Sequence, residues 1–382
     1  MDFESLFDIP IDDLHTPCYL TDARLLQKNT ALLKQIQQRT GCKILLAQKA
    51  FSMFSAYPLI RDDLAGTTAS GLFEAKLGRE HFGKEVHVFS PAYTQEDFTQ
   101  LLELCDHIVF NSFGQWKKYR QQVQDATRNI SCGIRINPGY AEVETDLYNP
   151  CISGSRMGVP LEQMEDDFAG LDGIHFHTMC EQNSDVLERT LDHMLPQFDK
   201  WLKRCKWVNF GGGHHITRPD YDVERLVRCI ERARDTYGVQ VYLEPGEAVA
   251  LNAGYLVATV LDVVHNGMDI AILDASAACH MPDVLEMPYR PHILYSGTAG
   301  EKAYTYRLAG NTCLAGDVIG DYSFDHQLQA GEKLVFCDMA IYSMVKNNTF
   351  NGVPLPDIAL YQNGKIQLVK RFGYADFEGR LS

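Results

Sequence analysis

Three consecutive glycines, Gly211, Gly212 and Gly213, close a short apolar run that begins at Trp207. Glycine backbone N–H groups can close on an anion because no Cβ intervenes, and phosphate is the usual anion of such loops. The plainer use of the same residues is a tight turn with positive φ. Lys49 follows a second apolar run, KILLAQ at 43–48. A lysine there is either a solvated strand end or an amine held away from water. Burial lowers the amine's pKa and frees its lone pair to form a Schiff base. Glu244 ends a third run, VQVYLE at 239–244, just before Pro245-Gly246. A phosphate loop, an imine-forming lysine and a carboxylate able to keep a pyridine nitrogen protonated are the three handles that pyridoxal phosphate needs. Each residue alone favours the plain reading; the three together favour the cofactor.

Four histidines admit another chemistry. His175, His177, His214 and His215 could gather a metal ion. No carboxylate in a metal-binding pattern accompanies them, so no metal is expected. A histidine stacked on a planar cofactor accounts for His177, and an ordinary core histidine accounts for His175.

These residues need a scaffold that brings run ends together. Eight short apolar runs recur: 43–48, 64–69, 85–90, 107–111, 132–137, 173–177, 207–212 and 239–244. Helical patterns fall between them, at 94–104, 184–204 and 221–236 among others. Strands alternating with helices make parallel βα units, and eight in about 200 residues fit a closed (β/α)8 barrel. An open doubly wound sheet is the rival. In a barrel the site lies at the C-terminal strand ends, where Lys49, Arg135, His177, the glycines and Glu244 all fall. After about residue 246 the texture becomes β-rich with Gly, Asn and Asp punctuation, which predicts a separate antiparallel β-domain. The expected division is a barrel over 22–246 and a β-domain of 1–21 plus 247–382, with CYLTD near the N-terminus as one of its strands.

Composition narrows the function. A net charge of −15 without any Lys/Arg block argues against nucleic-acid binding and favours a cationic small-molecule partner. No apolar run reaches membrane-spanning length, and the acidic N-terminus lacks the basic start of a secretory signal. Eleven scattered cysteines without a CxxC pair fit free thiols in a reducing cytoplasm.

With these motifs in place, the chain resembles the alanine racemase/ornithine decarboxylase group of pyridoxal-phosphate enzymes, and within it the carboxynorspermidine (carboxyspermidine) decarboxylase branch. The likeness runs from TPCYL at 16–20 to NNTFNG at 347–352. It implies that Lys49 in LLAQKAF carries the cofactor, that His177 in HFHTMCEQ stacks on its ring and that Gly211, Gly212 and Gly213 in NFGGGHH bind its phosphate. Glu244 in LEPGEA would meet the pyridine nitrogen, and Arg135 in GIRINPG would lie behind the ring. Tyr342 in AIYSMVKNNTFNG would lie near the phosphate. Cys313 in AGNTCLAGD would be a catalytic acid reaching into the partner subunit's site, hence a homodimer with shared sites. Two positions depart from the ornithine and diaminopimelate enzymes. Glu247 stands where they carry Arg after EPG, and Leu314 stands where they carry an acid after the cysteine. Glu247, with Asp274 as a further acidic contact, is thereby implied in holding a cationic substrate tail. The implied activity is decarboxylation of carboxynorspermidine and carboxyspermidine in polyamine biosynthesis. Diaminopimelate or ornithine/arginine-type decarboxylation, racemisation on the same fold, a non-enzymatic pyridoxal-phosphate carrier and a metal-dependent hydrolase remain as alternatives.

Overall fold

A computed structural model describes Glu4 and residues 7–382. The chain forms two compact units. One is Gln27–Val249; the other joins the residues up to Leu26 to Ala250–Ser382. Glu247, placed with the β-domain from sequence, therefore lies in the first unit.

Strand β1 (Cys18–Asp22) belongs to the second unit and is described with it. The first unit contains β2 (Lys43–Ala47), β3 (Gly66–Ala69), β4 (Glu85–Phe89), β5 (His107–Phe110), β6 (Ser131–Asn137), the two-residue β7 (Val159–Pro160), β8 (Gly173–His175), β9 (Trp207–Asn209) and β10 (Gln240–Leu243). Except for β7, which pairs at the end of β6, these strands form one parallel ring in chain order, closed by the pairing of β10 with β2. An open sheet is excluded.

The sequence places the helices well where start signals exist. Thr94, Ser112 and Asp222 each accept a hydrogen bond from the backbone N–H three residues on, and the helices Gln95–Leu104, Phe113–Gln124 and Val223–Tyr237 follow. Such side chains satisfy donors that a helix start leaves bare. The expectation of a helix after every strand fails once. The 138–172 connection holds only three-residue 3-10 turns and β7. Three prolines and four glycines in that stretch interrupt any helical run.

Inside the ring, Leu45, Val109, Trp207 and Tyr242 from four strands pack together. The Trp207 indole fits because the residues beside it on the next two strands, Gly173 and Gly133, have no side chain. A Cβ on Gly173 would fall 2.0 Å from Trp207, and one on Gly133 2.2 Å. Gly173→Ala is therefore expected to destabilise the barrel by about 1–3 kcal/mol through overpacking. Thermal unfolding followed by circular dichroism checks this; an unchanged Tm would show that Trp207 moves freely.

In the second unit β1 lies between β11 (Gly254–His265), to which it is antiparallel, and β17 (Asp357–Gln362), to which it is parallel. The sheet continues through β12 (Asp269–Leu273), β14 (Tyr304–Ala309), β15 (Val318–Phe324) and β13 (Gly297–Thr298) on one side and β18 (Lys365–Lys370) on the other, while β16 (Lys333–Cys337) pairs with β11. The pairing of β12 with β14 is also parallel. The unit is thus a mixed sheet, which corrects the purely antiparallel expectation. Turn residues announce hairpins, but they say nothing of which distant strand a segment joins.

Candidate active site

Lys49 lies in a turn two residues beyond β2. The turn is fixed by its neighbour Gln48, whose side chain donates to the Glu74 carbonyl at 2.7 Å and accepts from the Tyr57 hydroxyl at 3.1 Å. Lys49 is exposed as a residue, yet its amine is almost wholly enclosed by protein. Burial and the nearby Arg135 guanidinium push its pKa down, against the pull of Glu244. The amine is thereby readied as a nucleophile.

Arg135, on β6, is buried. Its guanidinium lies over the Phe89 ring at 4.5 Å and donates to the His177 carbonyl at 3.3 Å, while Nε has no partner. Burial holds its pKa down at about 10, so it remains a cation with a spare donor. Glu244 follows β10. Its Oε1 accepts from Asn209 Nδ2 at 2.8 Å, and its Oε2 lies 3.2 Å from His175 Nε2. Burial raises the carboxyl, but these partners outweigh it and hold the pKa below the usual carboxylate range. Glu244 is ionised at neutral pH.

The glycine loop is more committed than its sequence suggests. Gly211 N–H donates to Asn209 Oδ1 and Gly212 N–H to His177 Nδ1, at 2.8 and 2.7 Å. Only Gly213 N–H lacks a protein acceptor among the described residues. Gly213 has φ +82°, and a Cβ there would meet the Met179 carbonyl oxygen at 2.0 Å. Because His177 Nδ1 accepts, its proton sits on Nε2, and burial lowers its pKa well below the ordinary value. The ring is neutral and its orientation fixed.

Glu247 opens the short helix Glu247–Ala250. Its carboxylate lies 3.2 Å from His215 Nε2, an ion-pair distance without hydrogen-bond alignment. Burial would lower the His215 pKa, but Glu247 and Glu181 outweigh it and raise it. Lys49, Arg135, His177, the glycines, Glu244 and Glu247 thus share one end of the barrel. The four histidines do not gather: they contact Glu244, Gly212, Phe210 and Glu247 in turn. Among the described residues the group of possible metal ligands is Glu85, His87 and His107, at the N-terminal strand ends. There Lys43 already pairs with Glu85, and the two imidazoles stack at 3.9 Å and 7°. In-plane lone pairs of stacked rings cannot converge on one ion.

An enclosed amine of lowered pKa, an ionised carboxylate, a buried cation with a spare donor and an open loop N–H suit a planar, phosphorylated carbonyl compound. The family model described as "Pyridoxal-dependent decarboxylase, C-terminal sheet domain" matches residues 18–340. The chain belongs to the pyridoxal-dependent decarboxylases. It is 42% identical to a carboxynorspermidine/carboxyspermidine decarboxylase of Campylobacter jejuni subsp. jejuni, over 97% of this chain and 99% of that one. It is 41% identical to a carboxyaminopropylagmatine decarboxylase of Synechocystis, over 97% and 96%. The crystal structure of Campylobacter jejuni carboxynorspermidine decarboxylase complexed with norspermidine superposes with a TM-score of 0.90 at 41% identity, covering 96% of this chain and all of that one. Pyridoxal phosphate is the cofactor of this decarboxylase, and the residues just described fit it.

The decarboxylase's second unit carries the other three expected residues. Cys313 is exposed on the loop between β14 and β15, its N–H donating to Asn351 Oδ1 at 2.8 Å. The loop is held by buried Asp317, whose carboxylate accepts from Thr312, Ser276 and the Ala278 N–H. Tyr342 has φ 54° and ψ −43°, with Ser343 N–H donating across it to the Ile341 carbonyl. That is a γ-turn of the rare, strained hand, a conformation that persists where function requires it. Asp274 is different. Its two oxygens accept from Thr16 Oγ1 at 2.6 Å and Thr259 N–H at 2.7 Å. This carboxylate ties the segment just before β1 to β11.

Sequence reasoning missed Asn209 and Asp317, and set His175 aside. A signal existed for two of them. Asn209 stands two residues after Trp207, and His175 two after Gly173, so strand alternation turns both into the barrel.

Proposed function

We propose that this decarboxylase converts carboxynorspermidine and carboxyspermidine to norspermidine and spermidine, releasing CO2. The observation that carries this reading is Glu247 at the Lys49 end of the barrel together with full-length likeness to an enzyme bearing that name. The bound cofactor supplies an electron sink for the pair left when the Cα–carboxylate bond breaks. Lys49 would hold the cofactor through its amine and yield that place to the substrate's α-amine. Glu244 would keep the ring nitrogen protonated, neutral His177 would face the ring, and Gly213 N–H would serve the phosphate. Arg135 supplies positive potential beside Lys49. Cys313 delivers a proton to Cα from the second copy of a homodimer whose active sites are shared. Its rigid, exposed loop supports that role.

Glu247 serves the far end of the substrate. A secondary or terminal ammonium group would replace His215 as its cationic partner. A charge-assisted contact of this kind contributes about 1.5–3 kcal/mol, so Glu247→Gln is expected to lower kcat/KM for the triamines about tenfold or more. Pyridoxal-phosphate affinity should change little. Among the described residues no helix is long and apolar enough to cross a membrane, and all eleven cysteines are free, which supports a place in the cytoplasm.

The likeness to the Synechocystis enzyme favours a second reading, a substrate whose tail ends in a guanidinium. CO2 release from carboxynorspermidine, carboxyspermidine, carboxyaminopropylagmatine, ornithine and diaminopimelate decides between them. The triamines are expected to turn over well and the two short amino acids poorly. Efficient use of ornithine or diaminopimelate with the triamines inert would overturn the proposal.

A further inference from the structure

Both oxygens of Glu244 are held, and both partners are neutral. Asn209 Nδ2 donates to Oε1 at 2.8 Å, and His175 Nε2 approaches Oε2 at 3.2 Å. No lysine or arginine of the described residues pairs with this carboxylate. The His175 Nδ1 atom is buried without a partner. A proton there would be an unsatisfied donor, so the proton belongs on Nε2, facing Glu244. Burial keeps the imidazole neutral. Asn209 has a second task, since its Oδ1 accepts from Gly211 N–H at 2.8 Å. Glu244 N–H in turn donates to the Gly211 carbonyl at 2.8 Å. The end of β10 and the glycine loop are thus joined through one amide side chain and one backbone bond.

We propose that His175 and Asn209 are positioning residues that aim the Glu244 carboxylate without neutralising it, and that Asn209 locks it to the glycine loop as one rigid cofactor seat. This rests on the reading that Glu244 meets the cofactor's ring nitrogen. A cationic partner in either place would orient the carboxylate equally well. It would also compete with the pyridinium for its charge and weaken the electron sink. Two neutral donors give direction and leave the full negative charge for the ring. Because Asn209 spans both sites, the nitrogen contact and the phosphate loop cannot shift independently.

The test separates hydrogen bonding from charge. His175→Gln keeps a neutral donor, His175→Lys replaces it with a cation, and Asn209→Ser shortens the link to both partners. Pyridoxal-phosphate affinity is measured by absorbance titration, together with the visible spectrum of the bound cofactor and kcat and KM separately. His175→Gln is expected to stay within a few-fold of wild type in each measurement. His175→Lys should shift the bound-cofactor spectrum and lower kcat about tenfold or more with KM little changed. Asn209→Ser should weaken cofactor binding about tenfold. In a double-mutant cycle its effect should largely vanish in a Glu244→Gln background. Equal behaviour of the Gln and Lys variants, or full additivity of Asn209→Ser with Glu244→Gln, overturns the proposal. If instead Glu244→Gln alone leaves both spectrum and affinity unchanged, the reading of Glu244 itself fails. A Lys variant that does not fold leaves the Asn209 cycle to decide.

Discussion

Lys49→Ala is expected to be colourless after purification and to release CO2 on the order of 10³-fold more slowly or worse. The size follows from what the side chain does: without its amine the cofactor has no covalent anchor and the substrate no group to displace. Borohydride treatment of the wild type should bleach the yellow colour and fix a pyridoxyl group on one lysine, which peptide mapping should place at 49. Lys43 begins the strand that leads to Lys49, but its amine pairs with Glu85, so it offers no free nucleophile. A label anywhere else would remove Lys49 from the mechanism.

Subunit mixing should give a second large effect. Cys313→Ala is expected to lose most turnover because the proton to Cα has no other named donor. If sites are shared across a two-fold dimer, Lys49→Ala and Cys313→Ala subunits mixed one to one should regain about a quarter of wild-type activity. Half the dimers are then hybrids, and each hybrid has one site with both native residues. Subunit exchange that occurs, by mass of the hybrid, without any return of activity would confine each site to a single chain.

How far the residues could be read in advance depended on whether local chemistry or distant pairing decided each one. The barrel was legible because period and punctuation repeat eight times, and because strand ends converge by geometry alone. Lys49, Arg135, His177, Glu244 and the glycines all followed from that rule. Their partners did not. Asn209 and His175 gain meaning only when the strands β9, β8 and β10 stand side by side, a fact that no local pattern carries. Asp274 was named from the resemblance, and its bonds to Thr16 and the Thr259 backbone join segments that no local pattern brings together. The glycine loop lay between the two cases. Its place was readable, but two of its three N–H groups are committed to Asn209 and His177.

Strand β1 is synthesised first, yet its two neighbours, β11 and β17, begin more than 230 residues later. During translation Cys18–Asp22 must therefore wait, unpaired and apolar, while the whole barrel sequence leaves the ribosome. The barrel is a continuous segment whose strands pair in chain order except for the closing pair β2 and β10, so it can be completed once β10 has emerged. The second unit is completed later: β1 can pair with β11 first, but its other edge waits until Asp357–Gln362 has emerged. Nascent chains should thus carry a finished barrel beside an incomplete sheet, and termination before β17 would leave one edge of β1 without a partner, the situation in which strands aggregate.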